Sequence, residues 1–354
     1  MIGLPHMTGI RARHIDIPAG AFYLLEAGQP DRPAIVFVHG NVSSAAFWEE
    51  TMLAMAEQGF WALAPDLRGY GGSPSLPIEA RYGLQPLTDD LHAIMTVLNL
   101  QRFHLIGHSM GGMVAMHYAI DHADYLQSLT LLSSGSPYGF GGTKDVDGTP
   151  CWPDYAGSGG GLVNQELLNR IMAGDLTAES PFSPRNLLKN YLTVPPFTHA
   201  REDTLIGWML RVATELGNYS RDMTLSANWP WFAPGTHGIN NALSPKYCNL
   251  RGMADITPQP PVFWIRGEKD HVVSDQSLAD PGTLGAMGVI PNWPGAQVFP
   301  SQPMVGQVRA MLERYRSNGG SYTEHMMTNI GHMPHLEDLP GFLQLWLPFL
   351  QQCP

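Results

Sequence analysis

Residues 102–113 read RFHLIGHSMGGM, and this stretch decides the fold class. An apolar run ends abruptly in small residues around Ser109, and apolar side chains then recur at helical spacing. The pattern predicts a buried strand that turns sharply into a helix, with Gly107 and Gly111 leaving room for a cramped backbone. Such a turn would lift Ser109 to the carboxyl edge of a sheet, where a nucleophile can meet a substrate.

The same alternation of strand and helix patterns continues on both sides of this stretch. A hairpin is predicted within 10–27, strands at 34–39, 60–64, 103–106, 126–132, 261–266 and 322–327, and helices at 45–58, 89–98, 110–120, 304–315 and 341–350. Buried strands that alternate with helices indicate an α/β fold with a mostly parallel central sheet flanked by helices.

The alternation stops after residue 136 and resumes near residue 259. Between them the sequence is rich in glycine loops, with helical spacing only at 162–172 and 201–216. We therefore expect a large inserted cap at 137–258, between two parts of one core at 10–136 and 259–354.

Two further edge loops carry the partners that a nucleophilic serine needs. A serine hydroxyl is weak alone and requires a base and an orienting acid. Asp270 follows the strand 261–266, and His332 follows the strand 322–327. Because the carboxyl ends of parallel strands meet at one edge, we expect Ser109, Asp270 and His332 to form a catalytic triad.

Neighbouring residues leave alternatives open for two of these roles. Asp275 is close enough in sequence to compete with Asp270, and His325 or His335 could replace His332 as the base. The spacing of His332 and His335 could suit a metal, but no third ligand is evident, so no metal site is predicted.

Five motifs, in order, resemble those of the α/β-hydrolase superfamily over nearly the full chain. They are HGNVSSAAFW (39–48), PDLRGYGGS (65–73), GHSMGG (107–112), GEKD (267–270) and GHMPHLE (331–337). The resemblance implies the α/β-hydrolase fold and an oxyanion hole made by the backbone N–H groups of Asn41 and Met110. It also implies that Asp66 and Arg68 support their loop rather than act in catalysis, as we expect of His39, His108 and Glu337.

The chain is most similar to the cap-bearing branch that includes haloalkane dehalogenases, epoxide hydrolases, haloperoxidase-like esterases and prolyl iminopeptidases. Dehalogenases and epoxide hydrolases of this branch use an aspartate nucleophile, whose ester is cleaved at the enzyme's own carboxyl carbon. Ser109 stands at that position, so the resemblance implies a serine hydrolase that cleaves a carboxylic ester or lactone through an acyl-enzyme, without a cofactor. The same triad could instead cleave a C–C bond or an amide, or serve a ligand receptor with negligible turnover.

Aromatic residues of the predicted cap suggest the kind of substrate. Ligand pockets are mostly apolar with few polar groups. We expect a bulky, largely apolar small molecule, held by Trp208, Trp229, Trp231, Phe232 and Tyr247.

Composition excludes several other classes of function. The net charge of -11, without clustered lysine or arginine, argues against nucleic acid as a partner. With 44% hydrophobic residues and no apolar run of about twenty residues, a soluble globular protein without a membrane span is predicted.

The three cysteines are too far apart in sequence to indicate a disulfide framework or a zinc site. The amino terminus carries no signal-peptide pattern, which predicts a cytoplasmic location, although a mature secreted chain would look the same. The sequence does not indicate the oligomeric state.

Overall fold

The computed structural model describes residues 4–214 and 218–353, and its centre is an eight-stranded sheet in the order β1-β2-β4-β3-β5-β6-β9-β10. The strands within these two ranges are β1 (Arg11–Ile17), β2 (Gly20–Ala27), β3 (Ala34–Val38), β4 (Trp61–Pro65), β5 (Phe103–His108), β6 (Leu126–Leu132), β7 (Met223–Leu225), β8 (Phe232–Pro234), β9 (Val262–Gly267) and β10 (Tyr322–Met327). Only β2 pairs antiparallel with its neighbours β1 and β4, and the rest of the sheet is parallel. The predicted mostly parallel sheet is confirmed.

Helices cover both faces of the sheet. They are α1 (Glu49–Glu57), α2 (Gln85–Val97), α3 (Met110–His122), α4 (Gln165–Ala173), α5 (Pro184–Leu187), α6 (Glu202–Met209), α7 (Ile239–Ala242), α8 (Pro281–Ala286), α9 (Met304–Ser317), α10 (Pro334–Glu337) and α11 (Leu339–Gln351).

Alternate side chains of each strand enter two different cores. In β3, Val36 and Val38 pack in the cluster that includes α2, α3 and α9, whereas Ile35 and Phe37 pack in the cluster that includes α1 and α11. All four side chains are fully buried. This burial on both faces explains why the strands are continuous apolar runs in the sequence.

Two helices of the core begin at places that differ from the predictions. The helix expected from residue 45 begins as a 3₁₀ turn at Ala45–Trp48, capped by the Ser44 side chain, and becomes α-helical only at Glu49. The helix expected from residue 89 begins at Gln85, because Pro86 in the first turn favours a helix start.

Helix α6 is shorter than the predicted helix at 201–216. The chain leaves the helix after Met209 because its backbone pairs with another loop: Gly71 N donates to Arg211 O (2.8 Å) and Ala213 N donates to Gly69 O (2.8 Å). The last part of the predicted helix, residues 215–216, lies outside the described residues.

The region between β6 and β9 contains helices α4 to α7 and a small hairpin of β7 and β8. The hairpin was not predicted. Among the described residues, the strands of this region do not join the eight-stranded sheet, but the proposed cap boundaries at 137 and 258 stay a prediction.

No helix within residues 4–214 and 218–353 combines the length and apolar character needed to cross a bilayer.

Candidate active site

Ser109 occupies the turn between β5 and α3. Its backbone has φ 56° and ψ −120°, a conformation that is strained for a residue with a side chain. A Cβ atom on Gly107 would lie 2.1 Å from Gly111 O, and one on Gly111 would lie 2.3 Å from Val38 O. Only glycine fits at either position, which explains the small residues on both sides of this serine.

The ends of neighbouring strands fix the Ser109 backbone. Ser109 N donates to Leu132 O at the end of β6 (3.0 Å), and Ser109 O accepts from Gly135 N (3.2 Å). On the other side, a Cβ atom on Gly40 would lie 3.1 Å from Ser109 Cβ. Ser109 is partly accessible, whereas the residues on either side of it are buried.

His332 and Asp270 form a buried hydrogen-bonded pair at the same sheet edge. Their Nδ1 and Oδ2 atoms are 2.7 Å apart, and each side chain is 2% exposed. Asp270 Oδ1 accepts from the backbone N–H groups of Val272 (2.8 Å) and Val273 (2.9 Å). Backbone donors of its own loop thus fix the orientation of the Asp270 carboxylate. Because His332 uses Nδ1 for the contact with Asp270, its Nε2 is left for another partner.

The alternative acid and bases have other contacts. Asp275 Oδ1 accepts from Val305 N (2.8 Å) and Gly306 N (3.1 Å) in the first turn of α9. His325 stacks on Phe263 with ring centroids 4.9 Å apart. Asp275 therefore caps α9 and His325 packs on the sheet, so each has a structural role.

His335 is a buried packing residue. It stacks on Trp48 with ring centroids 4.3 Å apart, and burial lowers its pKa to about 3. An imidazole with such a pKa is neutral in the working range of an enzyme but binds protons poorly. Its geometry supports the assignment of the base to His332.

The backbone of His332 is clamped from two directions. His332 O lies 2.8 Å from Nε2 of His108, which is next to Ser109, and His332 N donates to Leu192 O (2.8 Å). Burial lowers the pKa of His108 well below its ordinary value, so its ring is neutral. His108 therefore links the nucleophile turn directly to the histidine loop.

Glu337 joins the histidine loop to the middle region of the chain. Its carboxylate accepts from Val194 N (2.8 Å), Gly331 N (3.0 Å) and Met333 N (3.2 Å). Burial raises the pKa of this carboxyl. The contacts support the loop-bracing role expected from the sequence.

The two predicted oxyanion-hole residues belong to segments next to Ser109. Met110 is the first residue of α3, so its N–H has no acceptor within the helix. Asn41 follows Gly40 in the loop after β3. Asn41 and Met110 therefore stay the candidate donors to an oxyanion formed at Ser109.

Tyr70 contacts both of these residues and was not singled out from the sequence. Its hydroxyl donates to Asn41 Oδ1 (2.7 Å) and lies 3.9 Å from Met110 Sδ. Burial raises the pKa of Tyr70 well above its ordinary value, so the hydroxyl keeps its proton. The only signal in the sequence was its place in the glycine-rich segment 65–73.

Asp66 and Arg68 brace the loop that carries Tyr70. Asp66 accepts from Ala45 N (2.7 Å) and Gly72 N (2.8 Å), and burial raises its pKa to about 6. Arg68 pairs with Asp90 at 2.7 Å. Neither Asp66 nor Arg68 is paired with Ser109, Asp270 or His332.

His39 supports the same loop by accepting from Leu67 N (3.0 Å), and burial lowers the pKa of His39 to about 4.

The aromatic residues predicted to contact substrate pack against different parts of the chain. Trp208 stacks on His6 with centroids 5.3 Å apart. Trp229 lies 4.8 Å from the Phe299 ring and donates from Nε1 to Pro291 O (2.9 Å). These two tryptophans are largely buried in separate packing contacts.

The other three also have individual surroundings. Trp231 is 42% exposed, Phe232 packs beside Gly161, and the Tyr247 hydroxyl donates to Gly235 O (3.0 Å). The five residues thus do not pack together as one aromatic wall.

No group of three or more histidine, cysteine or acidic side chains in the part of the chain described could hold a metal ion.

Known proteins share this architecture. Residues 33–151 match the family model described as alpha/beta hydrolase fold. An esterase from Exiguobacterium antarcticum superposes with a TM-score of 0.60, covering 96% of this chain and 100% of that one at 16% identity. The chain has the alpha/beta hydrolase fold. The fold predicted from the sequence motifs is therefore confirmed.

Curated relatives match this alpha/beta hydrolase-fold chain over about a third of its length. Epoxide hydrolase A of Mycobacterium tuberculosis is 32% identical over 121 residues, or 34% of this chain and 38% of the relative. A fluoroacetate dehalogenase of a Burkholderia species is 34% identical over 103 residues, or 28% of this chain and 34% of the relative. The chain spans well under half the length of these relatives.

Proposed function

We propose that this protein is a serine hydrolase that cleaves a carboxylic ester or lactone through an acyl-enzyme intermediate. The observation that carries the proposal is the buried hydrogen bond of 2.7 Å between His332 Nδ1 and Asp270 Oδ2, in the loops beside the strained Ser109 turn. A histidine oriented in this way presents Nε2 as a base, which is what an alcohol nucleophile requires.

These positions support the following reaction. His332 Nε2 accepts the Ser109 hydroxyl proton as Ser109 Oγ attacks the carbonyl carbon, and the N–H groups of Asn41 and Met110 stabilise the oxyanion. The proton then passes to the leaving alcohol oxygen as the C–O bond breaks. His332 next takes a proton from water, which attacks the acyl-enzyme, and returns that proton to Ser109 as the acid leaves.

The nucleophile argues against the activities named for the two relatives. An epoxide or an alkyl halide attacked by Ser109 would leave an ether on the enzyme, and an ether has no carbonyl carbon for water to attack. An acyl group on Ser109 keeps that carbonyl. The chemistry of the side chain therefore supports acyl transfer rather than epoxide opening or dehalogenation.

Contacts of the middle region support its role as a cap at 137–258. Leu192 O binds His332 N, Val194 N binds Glu337, and Asn240 contacts Asn41. The region thus reaches both sides of Ser109 and would enclose a substrate. Because ligand pockets are mostly apolar with few polar groups, the proposed substrate is a bulky, largely apolar ester or lactone.

The first test is substitution of the triad. We expect Ser109→Ala, His332→Ala and Asp270→Asn each to lower kcat by about 10⁴- to 10⁶-fold on a panel of 4-nitrophenyl esters, with strongly non-additive losses in combination. Asp275→Asn and His325→Ala are the matched controls and should keep most of the activity. Near wild-type turnover by His332→Ala, with loss in His325→Ala or His335→Ala, would assign the base elsewhere.

Covalent labelling tests the nucleophile without a known substrate. An organophosphonate should add one group to Ser109, detected by peptide mass spectrometry, and His332→Ala should slow the labelling. A label on another residue would contradict the proposed mechanism. A ligand receptor would be indicated instead if the wild-type protein were labelled at Ser109 but released no more than one equivalent of 4-nitrophenol from the ester panel.

A further inference from the structure

The orientation of the Asn41 side chain is fixed by a backbone donor. Asn41 Oδ1 accepts from Val42 N (3.0 Å), and the neutral Tyr70 hydroxyl donates to the same oxygen (2.7 Å). A backbone N–H cannot become an acceptor, so the oxygen of this amide must face Val42. The Nδ2 of Asn41 therefore faces the other way, towards the middle region.

This orientation in turn fixes Asn240, which lies on α7. Asn41 Nδ2 approaches Asn240 Oδ1 at 3.3 Å, and an NH₂ group needs an oxygen opposite it. The Asn240 amide must then direct its own NH₂ group away from Asn41. Among the described residues that Nδ2 atom is buried and has no hydrogen-bond partner.

The next residue, Asn241, shows how a structural asparagine is used in the same helix. Its Oδ1 accepts from Gly160 N (2.7 Å) and Gly235 N (2.9 Å), while its Nδ2 donates to Asp222 O (2.8 Å) and His237 O (2.7 Å). All of its polar atoms are satisfied within the fold. The NH₂ group of Asn240 lacks such partners, and a buried donor left unpaired destabilises the folded protein.

The unpaired donor lies at the junction of the middle region and the nucleophile loop. Asn240 contacts Asn41, Asn41 follows Gly40, and Gly40 lies against Ser109. We propose that Asn240 Nδ2 is a specificity-determining donor that binds an acceptor oxygen of the substrate, a hydroxyl, carbonyl or ether oxygen carried on the acyl group near the scissile carbonyl. The inference rests on the proposed ester or lactone hydrolysis and narrows its substrate to an otherwise apolar acyl group with one such oxygen.

The sharpest variant is Asn240→Asp. The aspartate keeps an oxygen opposite Asn41 Nδ2 and replaces only the NH₂ group by a second oxygen. Matched 4-nitrophenyl esters of hexanoic, 2-hydroxyhexanoic and 3-hydroxyhexanoic acid differ only in the added oxygen. We expect the wild-type protein to prefer at least one hydroxylated ester in kcat/KM, and Asn240→Asp to lower that preference about 10- to 100-fold, because the site then offers no donor.

The ratio of kcat/KM for a hydroxylated ester to kcat/KM for the hexanoate ester separates recognition from a general loss of activity. Asn240→Ala removes the donor without adding charge and should lose the same preference. Asn249→Asp adds the same charge at an exposed position of the middle region and should leave the preference unchanged. An equal fall for hexanoate and hydroxyhexanoate esters in both Asn240 variants, or no wild-type preference, would overturn the inference.

Binding distinguishes failure of this inference from failure of the proposed function. Isothermal titration of Ser109→Ala with the unreactive 2- and 3-hydroxyhexanamides and with hexanamide needs no turnover. Tighter binding of a hydroxylated amide, lost in Ser109→Ala/Asn240→Asp, would support the donor even if no ester were hydrolysed. Equal binding of all three amides, with active ester hydrolysis, would reject the donor and leave the hydrolase intact.

Discussion

Tyr70, which lies outside the proposed triad, contacts a residue of the proposed oxyanion hole. Its hydroxyl holds Asn41 Oδ1, and Asn41 contributes one of the two proposed N–H donors. Oxyanion stabilisation depends on donors that are already in place before charge develops. Under the proposed mechanism, Tyr70 is therefore a positioning residue that acts through Asn41.

The prediction at this scale is the effect of Tyr70→Phe. The loss of one hydrogen bond worth about 0.5–1.5 kcal/mol should lower kcat by about 2- to 10-fold and change KM little, because the oxyanion forms after substrate binds. Steady-state kinetics on one activated ester measures both constants. Tyr118→Phe is the matched control, since its buried hydroxyl contacts His92 (3.1 Å) in another part of the core. A change in KM alone would contradict the positioning role.

Individual site residues differed in how far the sequence could reveal them. Ser109 was predictable because its turn demands glycines in the local sequence, and Asp270 and His332 because they follow strands. The contacts of Tyr70 and Asn240 with Asn41 join side chains that are far apart in sequence. No periodicity or local motif encodes such a contact.

At the scale of elements, a cluster of charged side chains ties α6 to α1. Arg201, which precedes α6, pairs with Glu49 of α1 at 2.9 Å, and the Glu49 side chain is fully buried. Glu49 also accepts from Met7 N (2.8 Å) and contacts His6 Nδ1 (2.6 Å). The amino-terminal segment, α1 and α6 therefore meet at one carboxylate.

Removal of the arginine from this cluster tests how much it stabilises the fold. Arg201→Met should lower the free energy of unfolding by about 3 kcal/mol, because it leaves a buried carboxylate without its main cation. Urea denaturation measures the change. Arg314→Met is the matched control: it breaks an exposed pair with Asp255 and should cost no more than about 1 kcal/mol. Equal effects of the two variants would show that Glu49 is satisfied without Arg201.

Elements of the sheet were predictable, and those of the middle region were less so. Strands of a parallel sheet bury both faces, so each appears as an apolar run. Helix α6 ends where its chain pairs with the loop at Gly69 and Gly71, and the hairpin of β7 and β8 has strands of only three residues each. These features depend on partners distant in sequence, which local propensity does not record.

At the scale of the whole molecule, buried histidines and buried carboxyl groups have opposite effects on the stability of the fold as the pH falls. Burial lowers the pKa of His39 and His104 to about 4 and that of His335 to about 3. Burial raises the pKa of Asp66 and Asp280 to about 6. Protonation of the unfolded histidines at mildly acidic pH favours unfolding, whereas protonation of the two folded carboxyls favours the fold. The histidine shifts are more numerous and larger, so we expect net loss of stability below about pH 6.

His104 isolates one of these contributions because it lies in β5, away from the triad, where its Nδ1 lies 2.8 Å from Ser128 Oγ. The unfolded histidine takes up its proton near pH 6.5, whereas the folded one resists until about pH 4. Stability from this group is therefore present above pH 6.5 and is lost as the pH falls to 4, by roughly 3 kcal/mol. Urea denaturation at pH 7, 5.5 and 4 should show a shallower loss for His104→Gln than for the wild-type protein, even if the variant is less stable at pH 7. His237→Gln, at an exposed position, should follow the wild-type pH dependence. If the His104→Gln and wild-type curves run parallel, burial of His104 does not contribute to acid sensitivity.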